Sequence, residues 1–163
     1  MFDRYWNRIS DADPRAIALY ERHYSSGSRK GSHHHGIAGA GQRLVLMTSE
    51  SLALFVWKRF LPRSGRAASY FWMTGIWCSI FRNEGHSRSS DMVLEAEEWA
   101  WWKWPGETLH TFIDPASVAS RNPGYCFKKA GWQRRKDIIT TRGLHVLEKC
   151  PESEALALAD ARE

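Results

Sequence analysis

The segment Arg82-Asn83-Glu84-Gly85-His86-Ser87 follows an apolar run and precedes a predicted helix, which is the layout of a turn that cradles phosphate. Glycine lets the backbone approach an anion there. The following helix offers unpaired N–H groups and the positive end of its dipole. A second stretch runs from Asn122 to Trp132 and ends Cys126-Phe127-Lys128-Lys129-Ala130-Gly131-Trp132. A cofactor carrying a diphosphate is the ligand that the first segment calls for.

These segments need elements to hold them. Asp13-Pro14 supplies an N-cap and a first-turn proline for a helix reaching about Tyr24, with Ile17, Leu19, Tyr20 and Tyr24 as its apolar stripe. Residues 25–41, rich in Gly, Ser and His, read as a mobile loop over a site. Residues 43–48 and 52–58 form an expected hairpin through Ser49-Glu50, and 62–69 a basic loop. An aromatic strand over 71–81 delivers Arg82 to the turn. The next helix starts near Ser90-Asp91 and puts Met92, Ala96, Trp99 and Ala100 on one face, with Glu95, Glu97 and Glu98 mostly pointing elsewhere. Pro105-Gly106 stops it, and a strand over 108–113 ends at Asp114-Pro115. A helix over 123–130 ends at Gly131. Residues 138–141 and 144–148 read as a closing hairpin through Arg142-Gly143, followed by a weakly ordered tail over 151–163.

Length and charge bound the partners. The 163 residues suit one domain, 1–150, followed by that tail. A net charge of +5 with nine tryptophans pairs a cationic surface with flat ring faces, as nucleic-acid binders do. Coenzyme A would be drawn by the same charge. Basic residues gather in Lys58, Arg59, Arg63 and Arg66, and again in Lys128, Lys129, Arg134, Arg135 and Lys136; a merely solvated face is the alternative for each run. Trp99, Trp101, Trp102 and Trp104 are assigned mostly to the core. Cys78, Cys126 and Cys150 are odd in number and widely spaced, which argues for a reducing, cytosolic setting and against a zinc site. His33-His34-His35 has no partner at ligand spacing, so no metal is expected. No apolar run approaches the ~20 residues needed to span a bilayer.

The order of helix, two strands, strand, turn, helix, strand, helix and strand pair resembles the GNAT acyltransferase superfamily over residues 9–148. Arg82-x-x-Gly85-x-Ser87 is similar to its cofactor turn, and Asn122, Phe127, Gly131 and Trp132 to its late helix. The resemblance implies an α/β (α+β) single domain with a mixed, mostly antiparallel central sheet, splayed fourth and fifth strands and flanking helices. It also implies acetyl-CoA or a related acyl-CoA as donor. Within the superfamily, His23-Tyr24-Ser25, Ser79-Ile80-Phe81-Arg82-Asn83-Glu84-Gly85, Asp114-Pro115 and Gly124-Tyr125-Cys126-Phe127 resemble phage Mom-like DNA-modification proteins. That narrower likeness implies an enzyme acting on the exocyclic N6 amine of adenine in double-stranded DNA. It would protect phage DNA from restriction in the cytoplasm of a bacterial host. An N-acetyltransferase for a small-molecule or protein amine, and a non-catalytic DNA-binding adaptor, are the alternatives; a homodimer is left open by the exposed aromatics.

Sites follow from the resemblance. Arg82, Asn83, Glu84, Gly85, His86 and Ser87, with Asn122 and Phe127, are the expected cofactor residues. The amine must lose a proton and the thiolate gain one; Asp114, Tyr125, His23 and Tyr24 are the candidates, although Asp114 could equally be a turn residue before Pro115. The family's usual acid is a tyrosine where this chain has Phe127, and two residues along a helix is a rotation of about 200°, so Tyr125 is no simple substitute. Lys58, Arg59, Arg63, Arg66, Arg134, Arg135 and Lys136 are the expected nucleic-acid contacts.

Overall fold

Asp13 opens the first helix, α1 (Pro14–Glu21), by accepting the Arg15 N–H at 2.9 Å, while Pro14 presets the first turn. In the computed structural model, which describes residues 4–26, 36–39, 41–60 and 75–152, α1 stops before the expected Tyr24. Its end tightens instead: Arg22 and His23 donate to carbonyls three residues back, at 3.3 and 2.8 Å, and a single 3-10 turn follows over Tyr24–Ser26.

The other elements are β1 (Asn7–Ile9), β2 (Arg43–Met47), β3 (Ala53–Phe60), β4 (Gly75–Asn83), α2 (Ser89–Lys103), β5 (Leu109–Ile113), α3 (Tyr125–Lys129), β6 (Gln133–Arg134) and β7 (His145–Lys149). They give an α+β fold built on one sheet of order β1-β2-β3-β4-β5-β7-β6. Only β4 and β5 run parallel, with α2 as their crossover; every other pair is antiparallel.

Strand alternation divides the core. Phe55 and Trp57 face α2 and α3, where they meet Trp6, Phe127 and Trp132; Leu54 and Val56 face α1 through Ala16 and Leu19. Buried indoles need acceptors for their N–H groups. Trp6 and Trp57 donate to the α2 carbonyls of Met92 and Ala96, each at 2.8 Å, and Trp104 donates to Gln42. Trp104 is therefore core as expected, whereas Trp102 is exposed.

One strand was not expected, and two expectations need correction. The strand β1 is too short to show periodicity and is set by tertiary contacts: Glu95 of α2 accepts the backbone N–H groups of Tyr5 and Trp6. The same contact buries Glu95, and Glu97 is buried as well, so two of the three α2 glutamates point inward. Residues 138–141 form no strand, and Ile139 is 90% exposed. The strand β7 pairs with β5 and β6 instead, and Arg142-Gly143 closes a loop in which Thr140 Oγ1 accepts the Leu144 N–H at 2.6 Å. Most of the loops 25–41 and 62–69, the start of the expected strand 71–81 and most of the tail lie outside the described residues. Among the described residues no helix is long and apolar enough to cross a membrane.

Candidate functional site

One extra residue opens the sheet. Across β3 and β4, Trp57 pairs with Cys78 but the adjacent Val56 pairs with Ile80, so Ser79 is a bulge. Cys78 consequently faces α2 while Ile80, two residues on, faces α1. The parallel β4–β5 ladder runs from Ile76–Leu109 to Cys78–Thr111 and ends there. At its last rung Thr111 Oγ1 donates to the Cys78 carbonyl at 3.1 Å.

Beyond that rung lies a cavity of about 420 Å³. Cys78 to Phe81 form one wall and Thr111 to Ile113 the other. Gly124, Tyr125, Cys126 and Phe127 enclose it from α3, with Val118, Ser120 and Asn122 from the preceding loop. His23 and Tyr24 approach from the end of α1, and Ser89 from the first turn of α2. The structure thus joins His23, Tyr24, Asn122, Tyr125 and Phe127 around one space. Cys78, Ser79, Thr111 and Cys126 belong to it too, although none of them was a candidate site residue; a bulge that re-aims a strand leaves no pattern in composition or period.

The turn after β4 is held by Asn83. Its Oδ1 accepts the Gly85 N–H at 3.0 Å, and its Nδ2 donates to the Ser87 carbonyl at 2.9 Å and to Ser89 Oγ at 3.0 Å. Arg88 caps α2 without a side-chain bond, leaving the first N–H groups of the helix to serve an anion or water. His86 and Ser87 are exposed. Arg82 and Glu84 are engaged elsewhere: Glu84 takes Arg22 at 2.7 and 2.8 Å and Arg82 at 2.7 Å, and Arg82 also donates to the Arg22 carbonyl at 2.6 Å. The hydrogen bonds from Arg22 and then Arg82 hold the Glu84 carboxyl down at about 2.

His23 is buried, hydrogen-bonded to the Phe81 backbone and packed against Tyr24 with ring centroids 4.3 Å apart. Burial, reinforced by the Arg82 charge, lowers its pKa to about 4, so the imidazole is neutral at neutral pH. Its folded pKa lies below the ordinary 6.5, so the unfolded chain binds the extra proton between those values. Stability contributed by the neutral ring is complete above pH 6.5 and is lost as pH falls toward 4. Acid unfolding followed by circular dichroism should show roughly 3 kcal/mol lost over that window, and a His23→Phe variant should flatten it.

Tyr24 hydrogen-bonds the Asp114 backbone, and burial raises its pKa, so the phenol stays protonated. The Asp114 carboxylate is occupied with its own turn, accepting Ser117 Oγ at 2.6 Å and the Ala116 N–H at 3.0 Å, and it does not line the cavity. The Ser117 bond, foremost, keeps this carboxyl below the usual range. Tyr125 is 56% exposed at the mouth. Lys128 fixes the Asn122 side chain at 2.7 Å. Phe127 is buried among Phe55, Phe81 and Trp132 and gives the cavity a hydrocarbon floor. Burial pushes the Cys126 thiol up to about 11 and the Cys78 thiol higher still, so neither is a thiolate at neutral pH.

The expected nucleic-acid residues are scattered in role. Lys58 lies over the Phe60 ring at 5.4 Å. Arg59 pairs with Glu107 at 3.3 Å, and Arg135 with Asp137 at 2.5 Å and Glu148 at 3.0 Å. Arg134 and Lys136 are exposed; Arg63, Arg66 and the histidines 33–35 lie outside the described residues. Among the described residues no group of three His, Cys, Asp or Glu side chains could hold a metal ion. No family model, curated protein or solved structure matches the chain.

Proposed function

We propose that the protein is a GNAT-like N-acyltransferase of the Mom-like kind, modifying the N6 amine of adenine in DNA with an acyl-CoA donor, in the cytoplasm of a bacterial host. The observation that carries this reading is the parallel β4–β5 pair that parts after Cys78–Thr111, with a glycine turn and a helix N-terminus beside the opening. The uncapped first turn of α2 would hold a coenzyme A diphosphate; at Gly85 an added Cβ would meet Asn83 Oδ1 at 3.4 Å and Leu52 at 3.5 Å, ordinary contact distances. Arg82 and Glu84 brace that turn.

The bound thioester supplies an activated carbonyl. Past Cys78, β4 has no β5 partner, and backbone N–H groups on that edge would stabilise a developing oxyanion. Neutral His23 accepts the proton of the attacking amine, directly or through Tyr24, whose phenol in turn offers a proton to the departing thiolate in place of the missing late-helix tyrosine. Phe81, Phe112, Ile113 and Phe127 exclude water, which an amine as weakly nucleophilic as adenine N6 requires.

Two measurements test the proposal. Calorimetry should detect acetyl-CoA uptake that Gly85→Asp abolishes by placing a carboxylate where phosphate binds. DNA from cells expressing the protein, digested to nucleosides and weighed, should contain a mass-shifted deoxyadenosine that is absent with Tyr24→Phe. Acetyl-CoA uptake with unmodified DNA would direct the activity to another amine; no uptake would end the acyltransferase reading.

A further inference from the structure

Strand register and α3 place a second set of cations beside the cavity. Arg134 of β6 lies opposite Leu147, and Ile113 of β5 lies opposite His145, so these four share one face of the sheet. The helix α3 rests on that face at Gly124, where an added Cβ would meet Leu147 at 2.7 Å and Ile113 at 3.0 Å. Lys128 is one turn further along, its N–H donating to the Gly124 carbonyl at 3.0 Å. Its ammonium sits on Asn122 of the cavity wall at 2.7 Å. Arg142, in the loop leading to β7, acts on Asp114 at the end of β5. After burial, the charges of Arg134 and Lys128 are what keep His145 below its ordinary value, which agrees with their closeness.

These cations differ from the other basic residues in what neutralises them. Arg59 and Arg135 carry carboxylate partners, and so do Arg22, Arg43 and Arg82. Asp114, on which Arg142 acts, already has its carboxylate engaged with Ser117 and Ala116. Charge at the mouth is therefore concentrated where the α3 edge meets the cavity, next to exposed Tyr125, a ring on which a base can stack.

We propose that Lys128, Arg134 and Arg142 form the phosphate-binding rim that holds a DNA duplex with its target base at the cavity, and that Arg59 and Arg135 lie outside the contact. The proposal rests on the DNA-modifying reading for the identity of the polyanion. It assigns the strand a path along α3 and β7, flanking the cavity from the side opposite the α1 end. Each phosphate contact releases condensed counterions, so each rim residue adds a defined increment to the salt dependence of binding.

Fluorescence anisotropy of a labelled duplex, titrated with the full chain over a series of KCl concentrations, measures that increment. Arg134→Gln with Arg142→Gln, both exposed positions, should reduce the slope of log K against log salt by about 1.8, and Lys128→Gln by about 0.9 more. Arg59→Gln should leave the slope at its native value. Acetyl-CoA uptake by the double variant should equal that of the native protein, which also certifies its fold. A native slope in the double variant, alongside salt-dependent binding by the unaltered chain, overturns the rim and leaves the acyltransferase reading standing. Salt-independent or absent DNA binding by the unaltered chain overturns the rim together with the DNA substrate.

Discussion

Lys149→Met is expected to destabilise the protein by about 3–5 kcal/mol, because it leaves a buried carboxylate without its cation. Lys149 Nζ donates to Glu97 Oε2 at 2.6 Å and to the Ala130 carbonyl at 2.7 Å, and Trp132 Nε1 donates to Glu97 Oε1 at 2.6 Å. These bonds tie α2, the end of α3 and β7 into one node beneath the cavity. Burial outweighs them and raises the Glu97 carboxyl to about 6. A carboxyl with a folded pKa above its ordinary 4.5 binds more protons in the native state, so stability rises as pH falls through that window. Without Lys149 the pKa rises further. Urea unfolding should therefore show the full deficit at pH 8 and a smaller one at pH 5. Glu97→Leu combined with Lys149→Met should recover most of the loss, since removing both charges also removes the cost of burying them. A single variant as stable as the native protein at pH 8 would mean that Glu97 reaches another cation or water.

Gly124→Val is expected to cost about 3–5 kcal/mol and to abolish ligand uptake, through two separate effects. The backbone at Gly124 has φ +77°, a conformation that a β-branched residue strongly resists. The new side chain would also strike the buried Leu147 and Ile113 side chains. Relief would come from lifting α3, which carries the Tyr125, Cys126 and Phe127 wall of the cavity. Denaturant midpoints measure the first consequence and acetyl-CoA calorimetry the second. Gly106→Ala makes the control: φ is +76° there but nothing lies within 4 Å of the added carbon, so only the backbone part of the cost remains. Equal losses at both positions would show that the packing of α3 on β5 and β7 is slack.

Local signals located most elements. The Asp13-Pro14 cap, the Ser49-Glu50 turn and the Pro105-Gly106 stop depend on short-range chemistry, and each lies where the residues place it. Long-range effects were not legible. A three-residue strand such as β1 exists because Glu95 gathers its N–H groups, and β7 skips its sequence neighbours to pair with β5. Glu97 looked like a solvated residue because its partners, Lys149 and Trp132, are distant in sequence. At the site, Asn122, Tyr125, Phe127 and the His23-Tyr24 pair, which the resemblance implied, line one cavity, whereas the turn over residues 82–87 does not line it. Asp114 was legible only as a choice between two roles, and its hydrogen bonds to Ser117 and Ala116 give it the turn. The Ser79 bulge, which lines the cavity, depends on register against β3 and has no local mark.

The Arg22–Glu84–Arg82 clamp joins the glycine turn to the residue preceding His23. Under the proposed acyltransferase reading, the donor side and the acceptor side would be stiffened by the same three side chains. A donor bound at the turn would then also quiet the imidazole, and the first arrival would spare the second part of the ordering entropy. Cooperation between the two substrates would then need no motion of the sheet.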